Sequence, residues 1–253
     1  YINLDDADPA AYKDEGLTLH EICEEAAENE RAVKLFTREE ERGDVLFFTK
    51  YGMVKRTAWS EYSLKKSYYQ AMTLKEGDEV INVETLDADE FSTMFFVNSA
   101  GFGLNADKDN LPVQGRVAGG VRGIALKEGE ECIFASQITA EGEIVVVTAT
   151  NFFKRVIVST ITPIGRACKG VTIADVKDCG RLLFADYVTI PYTLAIINKD
   201  GSVAEINTEE ISIENRVTKG KKLKRTPPID PERIVPLKQK SDYSDGNVQL
   251  RLN

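Results

Sequence analysis

Histidine is almost absent from this chain: His20 is the only one in 253 residues. With no Gly-x-Ser-x-Gly elbow either, serine–histidine–acid chemistry lacks its parts. The four cysteines, Cys23, Cys132, Cys168 and Cys179, form no C-x-x-C pair, so a zinc site is not expected. So sparse a set fits buried free thiols in a reducing cytosol. No stretch approaches 18 consecutive apolar residues, which excludes a helical membrane span. There is no Walker A loop or dinucleotide fingerprint, since Gly119-Gly120-Val121-Arg122-Gly123 lacks the Lys-Ser/Thr ending. Carboxylates abound, but in an acidic chain they read as solvated surface. No catalytic residue, metal ligand or cofactor site is expected within this stretch. The first residues, Tyr-Ile-Asn-Leu-Asp-Asp, offer no initiator Met, basic region or apolar run. No secretory leader is therefore visible, and a piece of a longer chain is expected.

Positive charge is also in deficit, with a formal net charge of −9. That total argues against nucleic acid as a partner. The distribution says otherwise. Acid is dense early, in Glu24, Glu25, Glu28, Glu30 and Glu39–Glu41, while base is dense late, in Lys219, Lys221, Lys222, Lys224 and Arg225.

What the chain does have is repetition. Arg116, Arg166 and Arg216 recur every 50 residues, and Gly120, Gly170 and Gly220 follow each by four. A fixed period of this length marks a repeat architecture. Each unit opens with an apolar run: Val45–Phe48, Met94–Val97, Ile144–Val147 and Leu194–Ile197. Short β-branched and aromatic runs bounded by turn residues read as buried strands. Tight turns follow at Tyr51-Gly52, Ala100-Gly101, Thr150-Asn151 and Asp200-Gly201. Asn151 takes the glycine's place, since Asn tolerates positive φ. A second strand leaves each turn, completing a β-hairpin.

Next comes an Arg/Gly segment: Gly115–Gly123, Gly165–Val171 and Asn215–Lys221, with Leu64–Tyr69 as an earlier copy that keeps charge but loses glycine. Glycines this close predict an unusual backbone or a near approach of another chain segment. Acidic turns and closing strands follow near 80–81, 132–133, 182–183 and 234–235, and a copy is expected at 29–35. Leu17 to Asn29 reads as a helix with Leu17, Ile22, Ala26 and Ala27 on one face. The first unit is expected to begin within its second strand, at Tyr1–Leu4, and Asn247–Leu252 to supply a strand that closes the set.

These patterns predict an all-β, propeller-like fold of about five four-stranded blades with a short helical insertion near the N-terminus. The expected blades are 1–44, 45–92, 93–140, 141–190 and 191–236, followed by a tail over 237–253.

The candidate site is a set of basic residues at equivalent places. Lys55-Arg56 and Lys154-Arg155 share one position, and Lys65 and Lys66 sit on the early turn. Arg116, Arg122, Arg166, Lys169, Arg216, Lys219, Lys221 and Lys222 lie on or beside the Arg/Gly turns. Cations at blade spacing would contact phosphates and position duplex DNA without reading its sequence. Two other readings stand beside this one. Lys and Arg on outer strands protect edges, and an Arg fixed in every repeat pairs with acid in its own blade. A propeller-like protein-interaction module is the alternative function, motivated by the net negative charge.

The segment Phe47-Phe48-Thr49-Lys50-Tyr51-Gly52-Met53-Val54-Lys55-Arg56, with Lys75-Glu76-Gly77-Asp78-Glu79, resembles a blade of the C-terminal domain of bacterial type IIA topoisomerase A subunits. Gly115-Arg116-x-Ala118-x-Gly120-Val121-Arg122-Gly123-Ile124 is similar to that family's repeated signature. The similarity runs from about residue 30 to 235. It implies a β-pinwheel, in which neighbouring repeats exchange strands, and an outer rim that binds and bends double-stranded DNA. It also implies a cytoplasmic, ATP-dependent isomerase in which ATP and Mg²⁺ act elsewhere, in the rest of the A subunit and its ATPase B partner. Gyrases carry a Gln-Arg-Arg-Gly-Gly-Lys-Gly box in the first blade. The stretch here, Ala11-Tyr12-Lys13-Asp14-Glu15-Gly16-Leu17, is not basic. The resemblance therefore leans toward topoisomerase IV rather than gyrase.

Overall fold

The computed structural model describes residues 11, 13, 16–27, 30–66, 68–86, 91–225 and 228–238. Their strands repeat in sets. The first is β1 (Asp44–Thr49), β2 (Met53–Ala58) and β3 (Val80–Thr85). The second is β4 (Thr93–Asn98), β5 (Phe102–Ala106), β6 (Val121–Arg122) and β7 (Cys132–Ile138). The third is β8 (Glu143–Thr148), β9 (Phe152–Ile157), β10 (Val171–Thr172) and β11 (Leu182–Val188). The last is β12 (Thr193–Asn198), β13 (Val203–Asn207), β14 (Lys221–Lys222) and β15 (Pro231–Leu237). The one α-helix among the described residues is α1 (Leu19–Ile22).

The chain divides into two compact units, one of Tyr1–Thr139 with Thr162–Val171, the other of Ala140–Ile161 with Thr172–Asn253. The first holds sheets ordered β3-β1-β2-β6 and β10-β5-β4-β7. Its core joins Leu46, Phe48, Met94, Phe96, Leu104 and Ile124. Phe48 meets Phe96 edge-on at 5.7 Å, and burying each ring contributes about 1.5–3 kcal/mol. The second unit holds β11-β8-β9-β14 and the three-stranded β13-β12-β15, around Val145, Val147, Phe153, Leu194, Ile196 and Ile206.

Antiparallel hairpins form where expected: Phe47 faces Lys55 in β1–β2, and Val146 faces Lys154 in β8–β9. The hairpin turns take positive φ at Gly52, Gly101, Gly201 and, as its chemistry allows, Asn151. β1 and β8 are inner strands, paired along both edges, and their apolar runs are buried on both faces. The fourth strand of a sheet comes from the next repeat: β6 adds to β2, β10 to β5 and β14 to β9.

Among the described residues there are four sheets, three of four strands and one of three; the expected count of about five blades also draws on residues outside the described set. Two expectations need correction. Residues 30–35 form no strand; Val33 and Leu35 stay 40% and 77% exposed, with no sheet among the described residues to bury them. The helix spans four residues, not 17–29. A Thr18–Glu21 capping box starts it, but Leu17 and Ile22 are exposed and only Ala26 is buried, so no apolar face sustains a longer one. The strands expected at 1–4 and 247–252 lie outside the described residues.

Candidate nucleic-acid interface

Each Arg/Gly turn packs its backbone against the second hairpin strand of the preceding repeat. Gly120 and Gly220 have φ of +81° and +89°, and a Cβ added there would lie 2.7 Å from the Val54 carbonyl oxygen and 2.5 Å from that of Phe153. Gly170, at φ +77°, meets Gly103 in the same way. Both reasons for glycine act at once: left-handed backbone and close approach.

The arginines then link one turn to the one before. Arg166 Nη1 donates to the Arg122 carbonyl at 3.1 Å, and Arg216 Nη1 to that of Thr172 at 3.4 Å. Arg116 Nη1 donates to the Gln70 carbonyl, and its guanidinium lies 5.8 Å from the Tyr69 ring. All three remain half-exposed, with donors left over, because a guanidinium carries five N–H groups. Arg122, Lys169, Lys219, Lys221 and Lys222 are exposed beside these turns. Lys169 stacks 3.6 Å from the Phe102 ring centroid, and Lys219 and Lys222 each lie 5.2 Å from that of Phe152. Lys221 pairs with Glu214 at 2.9 Å, which holds that carboxyl below its usual range. Lys65 and Lys66 are exposed on their loop.

Four of the expected DNA-binding residues sit elsewhere. Lys55 and Lys154 are fully buried. Lys55 Nζ donates to the Arg116 carbonyl, to that of Ala71 at 2.6 Å and to the Tyr62 hydroxyl at 3.1 Å. Lys154 Nζ donates to the carbonyls of Asn215, Arg216 and Thr218 at 3.0, 3.0 and 2.6 Å. Burial pushes both ammonium groups down to about 8; Arg116 adds to the fall at Lys55, while Glu214 and Asp175 oppose it at Lys154. Neither lysine reaches solvent, so neither is placed to touch a phosphate. Arg56 and Arg155 are half-buried and paired, with Asp44 at 2.5 Å and Glu143 at 3.1 Å. Arg155 also donates to the Ile211 carbonyl at 2.8 Å. Their guanidinium groups brace the hairpin by pairing across to its first strand.

A turn lined by arginine and lysine can hold an anion by charge and hydrogen bond. The family model described as "DNA gyrase C-terminal domain, beta-propeller" matches residues 43–87, 92–139 and 142–189, so each match takes in one hairpin and its closing strand.

The chain belongs to the DNA gyrase C-terminal domain family.

Its relatives carry two names. The DNA gyrase A subunit of Chlamydia trachomatis serovar D is 30% identical over 72% of this chain, and that of Klebsiella oxytoca is 32% identical over 86%. The DNA topoisomerase 4 A subunit of Bacillus subtilis is 29% identical over 70%. The matched region is 22%, 25% and 22% of those proteins, so the chain spans about a quarter of their length. A solved C-terminal domain of DNA topoisomerase IV superposes with a TM-score of 0.67 at 25% identity, covering 74% of this chain and 58% of that one. A gyrase A C-terminal domain superposes at 0.62 with 18% identity, covering 78% and 65%, a likeness of fold alone. The gyrase-family repeat accounts for the glycine spacing. The buried lysines, by contrast, escape a sequence reading that counts every cation as surface. Facing residues give no signal either, since Arg56 and Arg155 also stand opposite apolar residues, Leu46 and Val145, of the same inner strands.

Proposed function

We propose that this chain is the non-catalytic DNA-binding and DNA-bending domain of the A subunit of an ATP-dependent type IIA topoisomerase. The observation that carries the reading is the threefold turn of Arg116, Arg166 and Arg216, each guanidinium anchored by one N–H and half-open to solvent. Around them, Arg122, Lys169, Lys219 and Lys222 supply further cations. Phosphate contacts of this kind set the path of a duplex without reading bases. Strand breakage and ATP hydrolysis with Mg²⁺ fall to the rest of the A subunit and to the B subunit, in the cytoplasm. The non-basic stretch 11–17 favours a topoisomerase IV-like, decatenating enzyme over a supercoiling one.

Charge reversal of Arg116, Arg166 and Arg216 together tests the reading. Duplex affinity measured by fluorescence anisotropy should fall equally for unrelated sequences. Unchanged affinity refutes it and returns the fold to the protein-interaction alternative, which the exposed Val113, Val117, Ile213 and Val217 beside the same turns would serve.

A further inference from the structure

Four hairpins place a residue three positions after the turn residue: Lys55, Leu104, Lys154 and Ala204. The first three are each covered by an Arg/Gly turn of the following repeat, whereas β13, which carries Ala204, receives no exchanged strand among the described residues. Lysine stands under the turns of Arg116 and Arg216, and leucine under that of Arg166. Leu104 is fully buried in an apolar cluster, so the fold does not itself need an ammonium there. Burying one costs several kcal/mol unless all its donors are met.

The turn meets all three donors of Lys154 and one of Lys55, whose others go to Ala71 and Tyr62 of its own repeat. Lys154 aims three N–H groups at the carbonyls of Asn215, Arg216 and Thr218. Lys55 reaches the Arg116 carbonyl from below while Arg116 N–H donates to Glu61 at 3.2 Å. Carbonyl oxygens carry the negative end of the peptide dipole and would repel a phosphate. Drawn inward to an ammonium, they leave the half-exposed guanidinium groups as the charge the turn presents. The Arg166 turn is fixed otherwise, by Ala167 at φ +66° and bonds from Ala167 N to the Gly123 carbonyl and from Ala125 N to that of Cys168. The charged neighbours are Glu61 and Arg116 around Lys55, and Asp175 and Glu214 around Lys154.

We infer that Lys55 and Lys154 are positioning residues for DNA: Lys154 turns three carbonyls of the Arg216 turn, and Lys55 the carbonyl of Arg116, away from the phosphate, so that both arginines act from pre-set turns. This rests on the DNA-binding reading above. The variants Lys55→Leu and Lys154→Leu copy the residue that the chain itself carries at 104. Each should weaken duplex binding about tenfold. The effect of Lys55→Leu should vanish in an Arg116→Glu background and persist in an Arg166→Glu background. Equal effects in both backgrounds, or none, would overturn the inference. Amide exchange separates the two layers. The bonds Ala118 N to Gly115 O and Thr218 N to Asn215 O, each 3.1 Å, should exchange faster in the lysine variants, and unchanged exchange overturns the inference whatever DNA does. If Arg116→Glu and Arg216→Glu bind duplex as tightly as the parent, the DNA-binding reading falls instead. Should a leucine variant not fold, Leu104→Lys reverses the design: slower exchange and tighter binding at the Arg166 turn are expected, and no change counts against it.

Discussion

Lys154 Nζ donates to the carbonyl of Arg216 at 3.0 Å, from inside the sheet to a turn in the next repeat. Lys55 makes the same contact to Arg116 in the other unit. The pair shows how one repeat fixes the next: exchanged strand, left-handed glycine and buried ammonium all converge on a single turn.

These ammonium groups give stability a pH dependence of unusual sign. Burial holds both at about 8, against 10.5 when free. Between those values the unfolded chain binds more protons than the folded one, so unfolding free energy rises with pH. The Cys132 thiol, pushed by burial up to about 12 from 9.0, opposes this above 9. Urea titrations at pH 8 and 9 should show a rise in the parent that is absent in the Lys55→Leu, Lys154→Leu double variant. Parallel behaviour of the two would refute the assignment.

Glycines of similar φ should differ in cost. Gly220, at +89°, crowds the Phe153 carbonyl, whereas Gly129, at +78°, has nothing within 4 Å of its added Cβ. Gly129→Ala should cost about 1 kcal/mol, from the left-handed backbone alone. Gly220→Ala should cost roughly 2–4 kcal/mol, strain and displacement combined. Denaturant midpoints compare them directly, and equal losses would argue against close packing of the turn.

Arginines divide by task. Arg155, with 12% of its side chain exposed, pairs with Glu143 and binds the Ile211 carbonyl. Arg155→Met should lower stability by about 1–3 kcal/mol and leave duplex affinity unchanged in the folded protein. Arg166→Met should do the reverse. Thermal melts and anisotropy on both variants check the pair.

Much of the fold was legible because hairpins write a local code: an apolar run, a turn residue that accepts positive φ, a second strand. Asn151 fits that code and adopts φ +65°. The Gly120 series was legible for the same reason. What the sequence concealed depends on distant partners. Lys55 and Arg56 are adjacent cations, yet one is sealed beneath a turn 61 residues away and the other is paired with Asp44 across the hairpin. Val33 and Leu35 alternate as a strand would, but no sheet among the described residues takes them up. The short exchanged strands carry only two residues each, too few for periodicity to register.

The most direct measurement is the salt dependence of duplex affinity for the parent chain and for Arg116→Glu, Arg166→Glu, Arg216→Glu. The parent should give a linear log–log plot with a negative slope, and the variant a slope shallower by about 0.9 for each phosphate no longer neutralised. A flat parent plot, or identical slopes for both proteins, would contradict the arginine turns as the DNA-binding surface.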